Sequence, residues 1–233
     1  INLFHSDGQH DYAVRRANTM ISQGDDAIIL DRAGVKKMLP YLDYDNARFP
    51  VYGGLYHARG GKARHDAVAW GFARGADQRG VDLLQNCEVI GIDIAGGTVT
   101  GVQTSRGPIR ASKVGIVVAG RSGQVAEMAG MRLPIESHIL QAFVTEGLKP
   151  CIDHVVTFGM GHFYISQSDK GGLVFGGDLD FYPSYASRGN LPMMEHVMEA
   201  GMTLMPMLGK VRLLRSWGGI MDMSPDGSPI IDR

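Results

Sequence analysis

Lys62-Ala63-Arg64-His65-Asp66-Ala67-Val68-Ala69-Trp70 opens the stretch that decides the fold, and Val114-Gly115-Ile116-Val117-Val118-Ala119-Gly120-Arg121-Ser122-Gly123 closes it. Between them His65, Val68, Ala69, Phe72 and Ala76 recur at helical spacing on one face. Asp66, Arg74, Asp77 and Gln78 take the other face, and Gly80 ends the run. Residues 81–94 then alternate as a strand, Gly96-Gly97 turns the chain, Thr98 to Thr104 returns, and Arg106-Gly107 turns it again. Val114 to Val118 is apolar throughout, which predicts a buried core strand closing on Ala119-Gly120. A helix, a meander and a core strand in succession predict a mixed α/β (α+β) fold.

Working outward, Tyr12, Val14, Ala17, Met20 and Ile21 predict an amphipathic helix over 11–23, closed near Gly24. Asp31 ahead of Val35, Met38 and Leu39 predicts a short N-capped helix stopped by Pro40. Residues 41–63, punctuated by Asn46, Pro50, Gly53, Gly54, Gly60 and Gly61, read as a loop crossing between domains. Beyond Gly130 the texture is strand-like and broken by turns: 141–146, 155–158, 162–167 and 173–175. A helix from about Pro192 to Met205 follows, and then a strand over 211–217. Ile1 to Phe4 also reads as a strand.

The 233 residues are 44% hydrophobic and 20% charged, enough to bury one core or two interleaved ones. Twenty-three Lys and Arg against 24 Asp and Glu leave a net charge of −1, so no broad basic surface exists for nucleic acid. Cys87 and Cys151 are too few for a disulfide scaffold, and no apolar run reaches the ~18 residues of a membrane span. A reducing, cytoplasmic setting is expected. The eight histidines are scattered without metal-ligand spacing, so no metal site is expected.

His65 stands at the first turn of its helix beside Arg64. A neutral imidazole nitrogen is nucleophilic, and a helix N-terminus with an arginine makes a seat for phosphate. Those are the requirements of a covalently held flavin mononucleotide (FMN); the structural alternative is a surface histidine that only caps the helix. Ala119-Gly120 permits close approach of a dinucleotide, or serves only a tight turn. Val89 stands where a strand backbone meets an adenine edge, or is an ordinary core valine. Gly120-Arg121-Ser122-Gly123-Gln124 falls one residue short of a hydrolase elbow because Gln124 replaces the last glycine, so Ser122 is expected to cap a helix. His162 and Tyr164 alternate on one predicted strand and either face a small substrate or form the solvated side of a sheet. Trp217-Gly218-Gly219-Ile220 offers glycines to a flat ligand, and Ser224-Pro225-Asp226-Gly227-Ser228-Pro229 is a turn. The glycine-rich Gly-x-Gly-x-x-Gly loop is absent from these residues.

Taken together, Arg64 to Trp70, Gln85-Asn86-Cys87-Glu88-Val89, Ser166-Gln167 and Ser216-Trp217-Gly218-Gly219-Ile220 resemble the β subunits of heterotetrameric sarcosine oxidases. These belong to the flavin-dependent D-amino acid oxidase-like superfamily. The resemblance implies a Rossmann-like FAD-binding domain with an interleaved antiparallel-sheet substrate domain. On that pattern residues 1–55 and 131–215 go to the substrate domain, and 56–130 and 216–233 to the FAD-binding domain. It further implies oxidative demethylation of sarcosine to glycine, with oxygen reduced to hydrogen peroxide and tetrahydrofolate accepting the one-carbon unit. Noncovalent FAD is implied at Val89, Ala119 and Gly120, covalent FMN at His65 with Arg64 near its phosphate, and partners of the α, γ and δ type. The Trp-Gly-Gly-Ile region holds no cysteine, in keeping with noncovalent FAD.

The family's dinucleotide loop and its active-site lysine have no counterpart in this sequence, so an internal fragment of a longer protein is expected. Other readings are an oxidase or dehydrogenase acting on glycine, proline or dimethylglycine, and a truncated assembly module without flavin.

Overall fold

The computed structural model describes residues 1–45, 48–159 and 162–232; the part of the expected 41–63 loop at Asn46 and Ala47 lies outside them. The chain divides into two compact units. The first comprises 1–62, 139–182 and 186–219, and the second 63–138, 183–185 and 220–233.

The first unit holds most of a mixed sheet. Its strands are β1 (Asn2–Phe4), β2 (Ala27–Asp31), β3 (Gly53–His57), β7 (Glu136–Gly147), β8 (Val156–Phe158), β9 (Phe163–Gln167), β10 (Gly172–Asp180) and β11 (Leu213–Met223). They run in the order β11-β7-β10-β9-β8-β1-β3-β2. Strands β7 and β11 each extend by three or four residues into the second unit. Most neighbours are antiparallel, but β1 and β8 pair in parallel, Asn2 opposite Thr157 and Leu3 opposite Phe158. Burial alternates along β9: Phe163, Ile165 and Gln167 point inward while Tyr164 and Ser166 stand on the other face. Phe158, Phe163 and Phe175 follow one another at centroid spacings of 5.2 and 5.8 Å, and Phe143 stacks on Phe175 at 5.4 Å. Helices α2 (Arg32–Met38) and α5 (Leu191–Leu204) cover this face with Val35, Val197, Ala200 and Leu204. Helix α1 (Asp7–Ser22) packs Ala13 and Ala17 against Phe4 and Leu55. The expected mixed α/β class is the observed one.

Helix α1 begins four residues before its expected start, because Ser6 accepts the amide of Gln9 and caps it there. Asp31 caps α2 as expected, accepting the Gly34 amide at 2.7 Å. The loop expected over 41–63 contains β3, a strand that its two leading glycines disguise. A Cβ at Gly53 would meet the Leu30 carbonyl at 2.3 Å and the Phe4 ring at 2.5 Å, so only glycine lets β3 lie this close.

The second unit carries α3 (His65–Asp77) and a three-stranded antiparallel sheet of β4 (Val89–Ala95), β5 (Thr98–Thr104) and β6 (Gly107–Arg110). The strand expected to begin at Val81 begins at Val89. Asn86 takes φ 52°, a left-handed turn that interrupts an extended run. Val114 to Val118 is not a buried strand among the described residues. A strand needs a ladder partner, and here Val117 is 92% exposed with nothing paired to it. A short 3-10 turn over Ala119–Arg121 leads into α4 (Ser122–Glu127). Among the described residues no helix is long and apolar enough to cross a membrane.

One side chain ties together the turns at the end of β9. Gln167 is buried, accepts the amides of Cys151 and Ile152 at 2.7 and 3.1 Å, and donates to the carbonyls of Leu148, Lys149 and Gly171. Gln167→Leu keeps the bulk but takes the partner from two amides and from the carbonyls of Leu148 and Lys149, while Gly171 keeps the Leu148 amide at 3.1 Å. Denaturant unfolding should show a loss of about 2–4 kcal/mol, and an unchanged midpoint would mean that water replaces the amide.

Candidate functional site

His65 is the first residue of α3 and is exposed. Arg64 is the N-cap in extended geometry, with no side-chain cap bond. Its guanidinium lies 3.1 Å from Asp66. The Ala67 amide first, and then Arg64, hold the Asp66 carboxyl below its usual range. That carboxylate therefore already uses part of the positive potential at the helix N-terminus. An incoming phosphate would share Arg64 with Asp66. The helix buries no residue: Val68, Trp70 and Phe72 are 46, 55 and 79% exposed.

Val89 opens β4, opposite Thr104, at the free edge of the three-stranded sheet. Glu88 turns its carbonyl to the Ser105 amide at 2.8 Å, so the alternation of an antiparallel ladder directs the amide and carbonyl of Val89 outward. That outward pair matches what an adenine edge requires. Ala119 holds φ 45°, which a non-glycine residue adopts only under strain. At Gly120 the space a Cβ would fill is taken by Ile220, its Cγ2 at 2.5 Å and its carbonyl at 2.7 Å. Ser137 donates to the Gly120 carbonyl at 2.8 Å and fixes the turn from the other side. Gly120 thus joins the Ala-Gly turn to the last residue of the Trp-Gly-Gly-Ile segment. Ser122 does not cap α4 as expected. It is the first helical residue, its hydroxyl donates back to the Ala119 carbonyl at 2.6 Å, and Arg121 occupies the N-cap without a side-chain bond.

Beside this turn, a cleft of about 850 Å³ in the second unit is lined by Glu127, Arg132, Glu136, Tyr185 and Pro225 among others. The Ser224 to Ser228 turn forms as expected, with Asp226 accepting the Ser228 amide at 3.0 Å and Gly227 at φ 72°.

In the first unit His162 and Tyr164 do not alternate along one strand. His162 precedes β9, and a left-handed φ of 45° turns it out of the ladder. Its Nδ1 lies 4.0 Å from Asp178, whose other carboxylate oxygen is 3.1 Å from His196 of α5. Asp178 is itself at φ 32° and bonds its amide to the His162 carbonyl at 2.8 Å. This carboxylate, with one imidazole at 3.1 Å and a second at 4.0 Å, was not legible in the sequence, where its members stand 16 to 34 positions apart and nothing marks the two strained residues. Tyr164 stands on the opposite face of β9 from the phenylalanine core, half-buried, and burial raises its phenol above the usual range. Of the two glycines in Trp217-Gly218-Gly219-Ile220, a Cβ at Gly218 would meet Ile139 at 2.9 Å, whereas Gly219 faces open space. Packing explains the first glycine, and the second leaves a flat surface free. Among the described residues no cluster of His, Cys, Asp or Glu forms a metal site.

The sequence matches the FAD dependent oxidoreductase family over residues 1–233. It is 69% identical over 233 residues to "Sarcosine oxidase subunit beta" of Rhizobium meliloti (strain 1021), covering 100% of this chain and 56% of that protein. It is 44% identical over 234 residues to the protein of the same name from Arthrobacter sp, of which it covers 58%. Among solved structures, L-proline dehydrogenase from P. horikoshii superposes with a TM-score of 0.90 at 26% identity, over 100% of this chain and 62% of that one. The chain thus spans somewhat more than half the length of the relatives it matches.

The Gly120 contact supplies a test. Gly120→Ala should lower the thermal unfolding midpoint, by an equivalent of about 1–3 kcal/mol for an overpacked site. Adding Ile220→Ala, which removes the Cγ2 in the way, should recover part of that loss.

Proposed function

Because the chain belongs to the FAD dependent oxidoreductase family, we propose that it forms part of a sarcosine oxidase β subunit that demethylates sarcosine to glycine. The observation that carries this reading is 69% identity to a sarcosine oxidase β subunit along the whole of the chain. In this reading oxygen takes the two electrons to give hydrogen peroxide, and water or tetrahydrofolate takes the one-carbon unit. The subunit works in the cytoplasm with α, γ and δ partners.

The residues fit the two flavins in different ways. For noncovalent FAD, the free edge of β4 presents the outward amide and carbonyl of Val89 to an adenine, and Ala119-Gly120 supplies a tight turn in the same unit. For covalent FMN, His65 is exposed and its imidazole is free to bond a ring methyl carbon, with Arg64 and the first amides of α3 meeting the phosphate. When bound, FAD accepts a hydride equivalent from the N-methyl carbon of the amine. Tyr164 and His162 are the substrate-side candidates. The phenol of Tyr164, raised by burial, stays protonated through neutral pH and donates a hydrogen bond. Its part is to orient a small carboxylate, so that substrate and acceptor meet in one geometry.

A second reading, a proline-oxidising enzyme of the same family, has the superposition with L-proline dehydrogenase in its favour. The full-length complex separates the two by turnover. Sarcosine should be oxidised at least tenfold more efficiently than proline, and the opposite order would replace the first reading by the second.

His65 has its own test. Acid-precipitated complex should keep flavin fluorescence, and His65→Ala should release it to the supernatant. Acid-stable flavin persisting in the variant would place the attachment elsewhere.

A further inference from the structure

Two glycines adjoin on β10, and they serve opposite faces of the sheet. A Cβ at Gly177 would collide with the His162 carbonyl at 1.7 Å, so that glycine belongs to the backbone turn ahead of β9. Gly176 is different. It pairs with Tyr164 on one side and with Ala142 on the other. A Cβ there would meet the Tyr164 hydroxyl at 2.8 Å and the ring carbon bearing it at 3.0 Å, as well as the Gln141 carbonyl at 2.7 Å. The phenol of Tyr164 therefore lies flat across β10, over the one position in its path that has no side chain. Ala142, next in the same row, adds only a methyl group. Thr157 is the cross-strand neighbour of Tyr164 on the other side, and its hydroxyl is turned away to the Asn2 side-chain oxygen. Nothing on that flank draws the phenol back.

Gly176 does not owe its identity to backbone conformation, since its φ lies outside the left-handed region and any residue adopts it. What it provides is room. The Tyr164 hydroxyl makes no hydrogen bond among the described residues, and burial keeps it protonated, so it is a donor held in place without a protein acceptor.

We propose that Gly176 is a positioning residue for substrate selection: by leaving its face of β10 bare it lays the Tyr164 phenol where the hydroxyl donates to the carboxylate of a small amino acid. This rests on the reading of Tyr164 as a substrate-side residue. Adding one methyl group at Gly176 lifts the ring off the sheet and moves the donor, while the electron-transfer chemistry, which does not involve β10, is left as it was.

The test uses the full-length complex, with wild-type turnover of sarcosine and flavin content measured first, so that failure of the functional reading is seen before any variant is made. Tyr164→Phe should raise KM for sarcosine about tenfold to a hundredfold, the loss of one hydrogen bond to a charged group, with kcat little changed. Gly176→Ala should do the same at unchanged flavin content. The Gln141 carbonyl makes some loss of stability certain in Gly176→Ala, so the deciding measurement is the double variant. If Gly176 acts through the phenol, Gly176→Ala should add less than threefold to KM in the Tyr164→Phe background. Multiplying effects would show that Gly176 matters only for the packing of β10 against β7, and the proposal would fall. It would fall equally if Tyr164→Phe left KM unchanged in a complex that oxidises sarcosine.

Discussion

The parallel pairing of β1 with β8 is the joint on which the larger sheet depends. Asn2 and Leu3 sit opposite Thr157 and Phe158, and the Thr157 amide reaches the Ile1 carbonyl at 2.9 Å. On one side of this joint lie β3 and β2, drawn from the first sixty residues, and on the other lie β9, β10 and β7. Without it there would be two small sheets, each with a bare edge. The joint also sets the phase of every side chain across it. Leu3 and Phe158 share the phenylalanine face, whereas Asn2 and Thr157 share the face on which Tyr164 stands. A slip of one residue at this joint would exchange the faces of β1 relative to β8 and put Asn2, in place of Leu3, on the phenylalanine side.

Elements whose pattern is local were legible in the sequence. Asp31 before an apolar triplet and a proline gave α2, and the run from His65 to Gly80 gave α3. Gly96-Gly97 between two alternating runs gave the β4–β5 hairpin, with both glycines at positive φ. Elements that exist because of a distant neighbour were not legible. β3 begins with two glycines, and its identity as a strand rests on the close approach of Leu30 and Phe4. Val114 to Val118 is the converse case. Its composition is that of a core strand, but a ladder is a property of two segments, and no described residue supplies the second.

The same division runs through the candidate site. His65 was identifiable because a nucleophilic ring at a helix start is a local feature, and the structure places it there. The role of Asp66 was not, since its hold on Arg64 depends on rotamers that no spacing reports. Gly120 was marked out as a point of close approach, and the neighbour that approaches is Ile220, a hundred residues on. In the sequence, alternation alone pairs His162 with Tyr164. A left-handed residue breaks that alternation and brings His162 to within 4.0 Å of Asp178 instead. Strain of this kind is stored at positions the surrounding fold over-determines, and only the fold shows it.

The chain passes from one unit to the other five times, at residues 62, 138, 182, 185 and 219. Neither unit is thus a continuous stretch of polypeptide, and this bears on the order of events during synthesis. A ribosome adding about 5–20 residues per second needs roughly ten to thirty seconds to travel from β1 to its partner strand β8. Through that interval the first three strands can close only on themselves, with the apolar side chains of Leu3 and Val35 uncovered. Until β8 is made, the edge of β1 that it covers stays bare, so the larger sheet can close only late in synthesis.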